Sequence, residues 1–114
     1  MDVAELILLY DYYGDLLTER QRECFELRYH QDLSLGEIGV ELGISRQGVY
    51  DNLSRAESLL KHMEEKTGCV SRDMKCRKSV QSISELAKEL VQNTESAVIN
   101  VAEKILEITR MLEE

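Results

Sequence analysis

Arg46, Gln47, Tyr50, Asp51 and Ser54 follow one another at steps of one and three residues, the spacing that gathers side chains on one face of a helix. Their chemistry is that of base recognition. An arginine fork matches the two acceptors of guanine, and a glutamine amide matches adenine. A carboxylate accepts from the cytosine amine, and a tyrosine ring packs on a thymine methyl or reaches a phosphate. Taken alone, Asp51 reads first as a solvated surface carboxylate. Arg55, Lys61 and the backbone amides behind Ser34 are candidates for holding a phosphate backbone.

Other reactive residue types do not assemble into a site. His30 and His62 fall near helix ends with no nucleophile at a useful spacing, and the glycines stand singly, so neither a catalytic constellation nor a phosphate loop is expected. Cys24, Cys69 and Cys76 are an odd number, without a C-x-x-C pair or a histidine at zinc spacing. Reduced thiols, no metal, no cofactor and no enzymatic activity are the expectation. Glu64 and Glu65 read as a solvated helix face.

The candidate face needs a rigid mount, and the surrounding sequence supplies one. Ser34-Leu35-Gly36-Glu37 has the spacing of a capping box, and Leu33 can staple onto Ile38. Ser45 repeats the device, with Ile44 placed to staple against Val49, and Gly43 offers the left-handed conformation of a sharp turn. Two helices thus meet across Leu42-Gly43-Ile44, with Gly39 as the small residue at their crossing and Ile38, Leu42, Ile44, Val49 and Leu53 as the seam. That is the pattern of a helix-turn-helix, whose second helix runs from Arg46 to about Lys66, where Thr67-Gly68 stops it. Val49, Leu53, Ala56 and Leu60 face inward, which leaves the candidate residues outward. Upstream, a helix over Val3 to Tyr13 presents Leu6, Leu9 and Tyr13 and stops at Gly14. Thr18 and Gln21 open another through about Tyr29, with Cys24, Leu27 and either Phe25 or Arg28 near the seam.

Downstream, 67–78 is polar and basic and reads as a linker or frayed helix end. From Ile83 to Leu112, apolar or small residues advance by threes and fours, as on an amphipathic helix or coiled coil, with a break near Gln92-Asn93-Thr94. The organisation expected is therefore a helix-turn-helix domain over 1–66, a linker over 67–78 and a C-terminal amphipathic helix over 79–114. The stripe on that helix exceeds what a small headpiece can cover, so self-association as a homodimer is expected.

With no proline and abundant Leu, Glu, Ile, Lys and Arg at helical spacing, the 114-residue chain reads as all-α with one core. Its N-terminus is acidic where a signal peptide would be basic, and the apolar run Leu6 to Tyr10 is far short of a membrane span, so a cytoplasmic protein without a membrane partner is expected. The net charge is −8, whereas DNA-binding domains usually carry a basic face. Residues 1–17 and 79–114 hold −4 each, 18–63 only −2, and 64–78 are +2.

The stretch Leu16-Leu17-Thr18-Glu19-Arg20-Gln21-Arg22, then Ser34 to Ile38 and Leu42 to Gln47, resembles region 4 of sigma factors, which binds the promoter −35 element. More narrowly, Tyr10-Asp11-Tyr12-Tyr13 and Ser45-Arg46-Gln47-Gly48-Val49-Tyr50-Asp51-Asn52 are similar to the YlxM family, over about residues 5–63. Gly39 and Gly48 depart from the alanines expected there, and the tail from Ser79 onward carries no such resemblance. The resemblance implies a regulatory protein that binds double-stranded DNA. It also implies a link to the signal recognition particle pathway, because the family is encoded in many bacteria beside that particle's GTPase. The composition keeps a second class open, a helix-turn-helix-shaped module that docks a protein or ribonucleoprotein instead of DNA.

Overall fold

Four helix starts, at Asp2, Thr18, Ser34 and Ser45, are fixed by side chains that bind their own first turns. The computed structural model describes residues 2–92 and 95–113, and its regular elements are all helical, as the sequence predicts. They are α1 (Val3–Tyr13), a short 3-10 turn (Gly14–Leu16), α2 (Glu19–Tyr29), α3 (Leu35–Leu42), α4 (Arg46–Thr67), α5 (Cys69–Val91) and α6 (Ser96–Glu113). Thr18 and Gln21 cap α2 reciprocally, Ser34 and Glu37 do the same for α3, and the Ser45 hydroxyl accepts from the Gly48 amide at 2.9 Å. Each cap satisfies a backbone donor that helix geometry orphans and contributes about 1 kcal/mol.

The chain forms two compact units, one ending at Val70 and one starting at Ser71. In the first, α4 packs against α1, α2 and α3 through Val49, Leu53, Ala56 and Leu60, a stripe at helical spacing. Phe25 and Ile38 are enclosed with them, and Tyr10 stacks on Phe25 at a centroid separation of 4.4 Å. Three tyrosines tie helices together by donating to carboxylates. Tyr10 donates to Glu26 at 2.5 Å, Tyr29 to Glu57, and Tyr13 to Glu64 at 2.7 Å. Glu64 is thus half-buried and bonded, not part of a solvated face as the sequence suggested.

The stretch expected as a linker is helical from Cys69 onward. Its first donors find acceptors at once. The Thr67 hydroxyl takes the Cys69 amide at 3.3 Å, and the Glu64 carboxylate takes the Val70 amide at 3.0 Å. Arg, Lys and Met then propagate the helix without an apolar period to advertise it. Nearly all the described residues of the tail lie in two helices. α5 ends at Val91 and α6 begins at Ser96, and of the expected break Asn93 and Thr94 lie outside the described residues.

The second unit buries mostly small side chains. Val80 and Ala87 on α5, and Ala102, Leu106 and Thr109 on α6, are enclosed. Ser84, in register with Val80 and Ala87, meets Thr109 at 3.1 Å between hydroxyl oxygens, and the Thr109 hydroxyl donates to the Leu106 carbonyl at 2.9 Å.

Candidate nucleic-acid interface

The α3–α4 crossing is closer than any side chain would permit. A Cβ placed on Gly39 would lie 2.7 Å from the Ile44 carbonyl oxygen, a backbone atom that cannot swing away. Gly43 makes the turn at φ 69°, in the left-handed region. From the surface of α2, the Arg20 guanidinium donates to the Leu42 carbonyl at 3.4 Å and steadies the end of α3. Arg20 was not among the expected site residues, because a bond between positions so far apart leaves no local mark in a sequence.

With α4 held this way and its Val49–Leu60 stripe inward, Arg46, Gln47, Tyr50, Asp51 and Ser54 are all exposed at its N-terminal end. Tyr50 has 55% of its surface open. Gln47 and Asp51 bind each other, the amide nitrogen 3.0 Å from the carboxylate, so either must release the other before it can reach an outside partner. Asn52 turns back to donate to the Gly48 carbonyl at 2.8 Å and takes no part in the exposed face.

The backbone candidates are dispersed. Arg55 is exposed and borders an open groove with Ser54, Ser58, Leu59 and His62. Lys61 is half-buried and stands about 22 Å along the helix from Arg46, at 1.5 Å per residue. Ser34 spends its hydroxyl on the Glu37 amide, while its own amide donates to the Glu37 carboxylate. Hydrogen bonding to the carboxyl from Ser34, side chain first and then backbone, holds Glu37 below its ordinary value. A phosphate approaching this helix end would therefore meet a carboxylate, which opposes the attraction of the helix dipole.

The first unit as a whole is acidic, residues 1–70 carrying −7. The most basic run, Arg72 to Lys78, lies outside it, with four exposed cations against one aspartate. Beside the turn, α3 exposes Val40 between Glu37 and Glu41, with 86% of the valine surface open. Burial pushes the Cys24 thiol up, and Cys69 and Cys76 are exposed. Among the described residues no group of His, Cys, Asp and Glu could hold a metal ion, and no helix is long and apolar enough to cross a membrane.

A capped helix, a left-handed glycine turn and a second helix with an exposed leading face define a helix-turn-helix protein. The comparisons with known proteins agree. A family profile described as "Putative helix-turn-helix protein, YlxM / p13 like" matches residues 2–105, and the chain belongs to that family, UPF0122. A UPF0122 protein of Thermoanaerobacter sp. (strain X514) is 46% identical over 116 residues, spanning 99% of this chain and 95% of the relative. One from Caldanaerobacter subterraneus subsp. tengcongensis is 52% identical over 84 residues, covering 74% and 72%. One from Bacillus cereus (strain AH187) is 38% identical over 99 residues, covering 85% and 90%. The family match runs well past residue 63, so the tail, which carried no resemblance on its own residues, belongs to the family too.

Proposed function

We propose that this protein is a non-enzymatic, cytoplasmic regulator that binds double-stranded DNA through the N-terminal turns of α4, and that it acts as a homodimer. The observation that carries the reading is the close α3–α4 crossing at Gly39, which presents Arg46, Gln47, Tyr50, Asp51 and Ser54 together on an exposed helix face. Arg46 is the foremost base reader. It stands in the first turn and, unlike Gln47 and Asp51, is not engaged with a neighbour on that face. Arg55 serves as a phosphate contact. Because residues 1–70 carry −7, attraction to DNA of arbitrary sequence is weak, and binding depends on the correct site or on low salt.

Selection from random duplex DNA at low salt tests this. An enriched motif is expected. Arg46→Ala then weakens binding to that motif by about 1–3 kcal/mol and relaxes preference at one base pair. Arg55→Ala weakens specific and nonspecific DNA alike and lowers the salt slope by about one unit. Absence of any enriched motif would sink the DNA reading.

The acidic first unit and the open Val40 between two glutamates favour a second reading, in which the same α3–α4 surface docks a protein or ribonucleoprotein. The link to the signal recognition particle pathway belongs with it. In that case Arg46→Ala abolishes recovery of a component of that particle in a pull-down, while no DNA motif is enriched.

A further inference from the structure

The faces by which α5 and α6 meet leave a second apolar surface uncovered. About a quarter turn round α5 from Val80 and Ala87 lie Ile83, Leu86 and Leu90, and Leu86 keeps 61% of its surface open. On α6, Val101, Ile108 and Leu112 form a matching stripe, each more than half exposed. The stripes belong to one face of the helix pair, because Leu90 and Val101 line the same open apolar cleft with Ala97 and Val98. Six large apolar side chains in one contiguous band far exceed the scattered single residues normal on a monomer surface.

The charges flanking this band identify its occupant. By helical spacing from the buried Val80 and Ala87, the exposed Glu89 falls beyond the α5 stripe on the side away from α6. By spacing from Ala102, Leu106 and Thr109, the exposed Lys104 falls beyond the α6 stripe on the side away from α5. The Ser84–Thr109 contact sets the register of the antiparallel pair. Five residues further along α5, and five back along α6, bring Glu89 and Lys104 to one level, about 7.5 Å along the axis from that contact. They point to opposite sides of the pair, and neither is in an ion pair among the described residues. A twofold axis along the helices preserves level and exchanges sides. It lays α6 of one copy over α5 of the other and puts opposite charges together on both flanks.

We propose that residues 71–114 close against those of a second copy as an up-down-up-down four-helix bundle with its twofold axis along the helices, Glu89 of each chain facing Lys104 of the partner subunit. The proposal rests on the homodimer reading above and gives it a geometry. Ile83, Leu86 and Leu90 then pack on the stripe of the opposing α6, and both α5 N-termini come to one end of the bundle.

Sedimentation equilibrium on full-length chains tests it. Wild-type protein is expected to be dimeric at micromolar concentration, and Leu90→Asp monomeric with its helical far-UV spectrum kept. Glu89→Lys or Lys104→Glu alone turns both flanking pairs into like charges and weakens the dimer about tenfold, two exposed pairs being lost and replaced by repulsion. Mixed in equal amounts, the two variants regain near-wild-type affinity, because the heterodimer has opposite charges on both flanks. A monomeric wild type would overturn the homodimer itself. A dimeric wild type whose mixed variants stay as weak as the singles would overturn this geometry and leave the homodimer standing.

Discussion

The two units bury different things. The first encloses Phe25, Ile38, Val49 and Leu60, large side chains drawn from three helices, and ties its periphery with tyrosine–carboxylate hydrogen bonds. The second encloses mainly Ala87, Ala102, Val80 and Thr109 and, Leu106 apart, leaves most of its larger aliphatics in solvent. All five tyrosines and the one phenylalanine fall within residues 1–50. Four helices can surround a phenylalanine, whereas two helices approach closely only through small residues and always keep an open side. The first unit is therefore complete as a hydrophobic object, and the second leaves apolar surface uncovered.

The comparison breaks most readily in the core. Phe25→Ala removes a ring with no exposed surface, stacked on Tyr10 and packed against Tyr29, and is expected to cost about 3–5 kcal/mol. Leu106→Ala, at a site with an open side that can relax, should cost less, toward the 2 kcal/mol end of the range for leucine. Urea denaturation followed by tyrosine fluorescence, which reports only the first unit, should register the first change in full and the second weakly. Equal effects on that signal would mean that the units unfold as one.

A smaller effect separates the units by pH. Burial first, then donation to Glu26 or Glu57, raises the Tyr10 and Tyr29 hydroxyls to about 12. An unfolded tyrosine ionises near 10. A raised folded value stabilises the protein in full below the unfolded value and is lost as pH climbs through the folded one. The first unit should accordingly weaken between about pH 10 and 12, while the second has no tyrosine to lose. The Tyr10 and Tyr29 share of the tyrosinate absorbance should rise only near pH 12, together with loss of helical signal. A single wave near pH 10 in folded protein would contradict the hydrogen bonds described.

The smallest expected effect lies at the polar contact of the second unit. Ser84→Ala removes one hydroxyl from Thr109, which keeps its bond to the Leu106 carbonyl, so the loss should be about 0.5–1.5 kcal/mol. Hydrogen exchange at α5 and α6 amides measures it, and a larger loss would show that the hydroxyl pair holds the helices together more than the buried alanines do.

What the sequence disclosed follows from the range of the forces involved. The caps at Thr18, Ser34 and Ser45 act over three residues, and the α4 stripe repeats every turn, so both could be read locally, and the exposed face of α4 followed from them. The start of α5 could not, because the groups that satisfy its first amides, Glu64 and Thr67, belong to the preceding helix. The tyrosine–glutamate pairs were equally hidden, since residues 16, 28 and 51 positions apart meet only once the helices have packed. Within the candidate site, the Gln47–Asp51 bond was readable as a one-turn spacing, but assigning each residue its own base obscured it.

Tyr13 sets an order of events during synthesis. Its hydroxyl bonds Glu64 and Thr67, 51 and 54 residues further along, and its helix packs against α4. At a ribosomal rate of about 5–20 residues per second, those partners are polymerised roughly 3–10 s after Tyr13 itself. Through most of that interval Leu6 and Leu9 lack a complete α4 to rest on, although the helix that carries them precedes α2, α3 and α4 in the chain. α1 is thus seated only after α4 has been made, and until then it waits as an apolar helix for whatever else is near the tunnel exit.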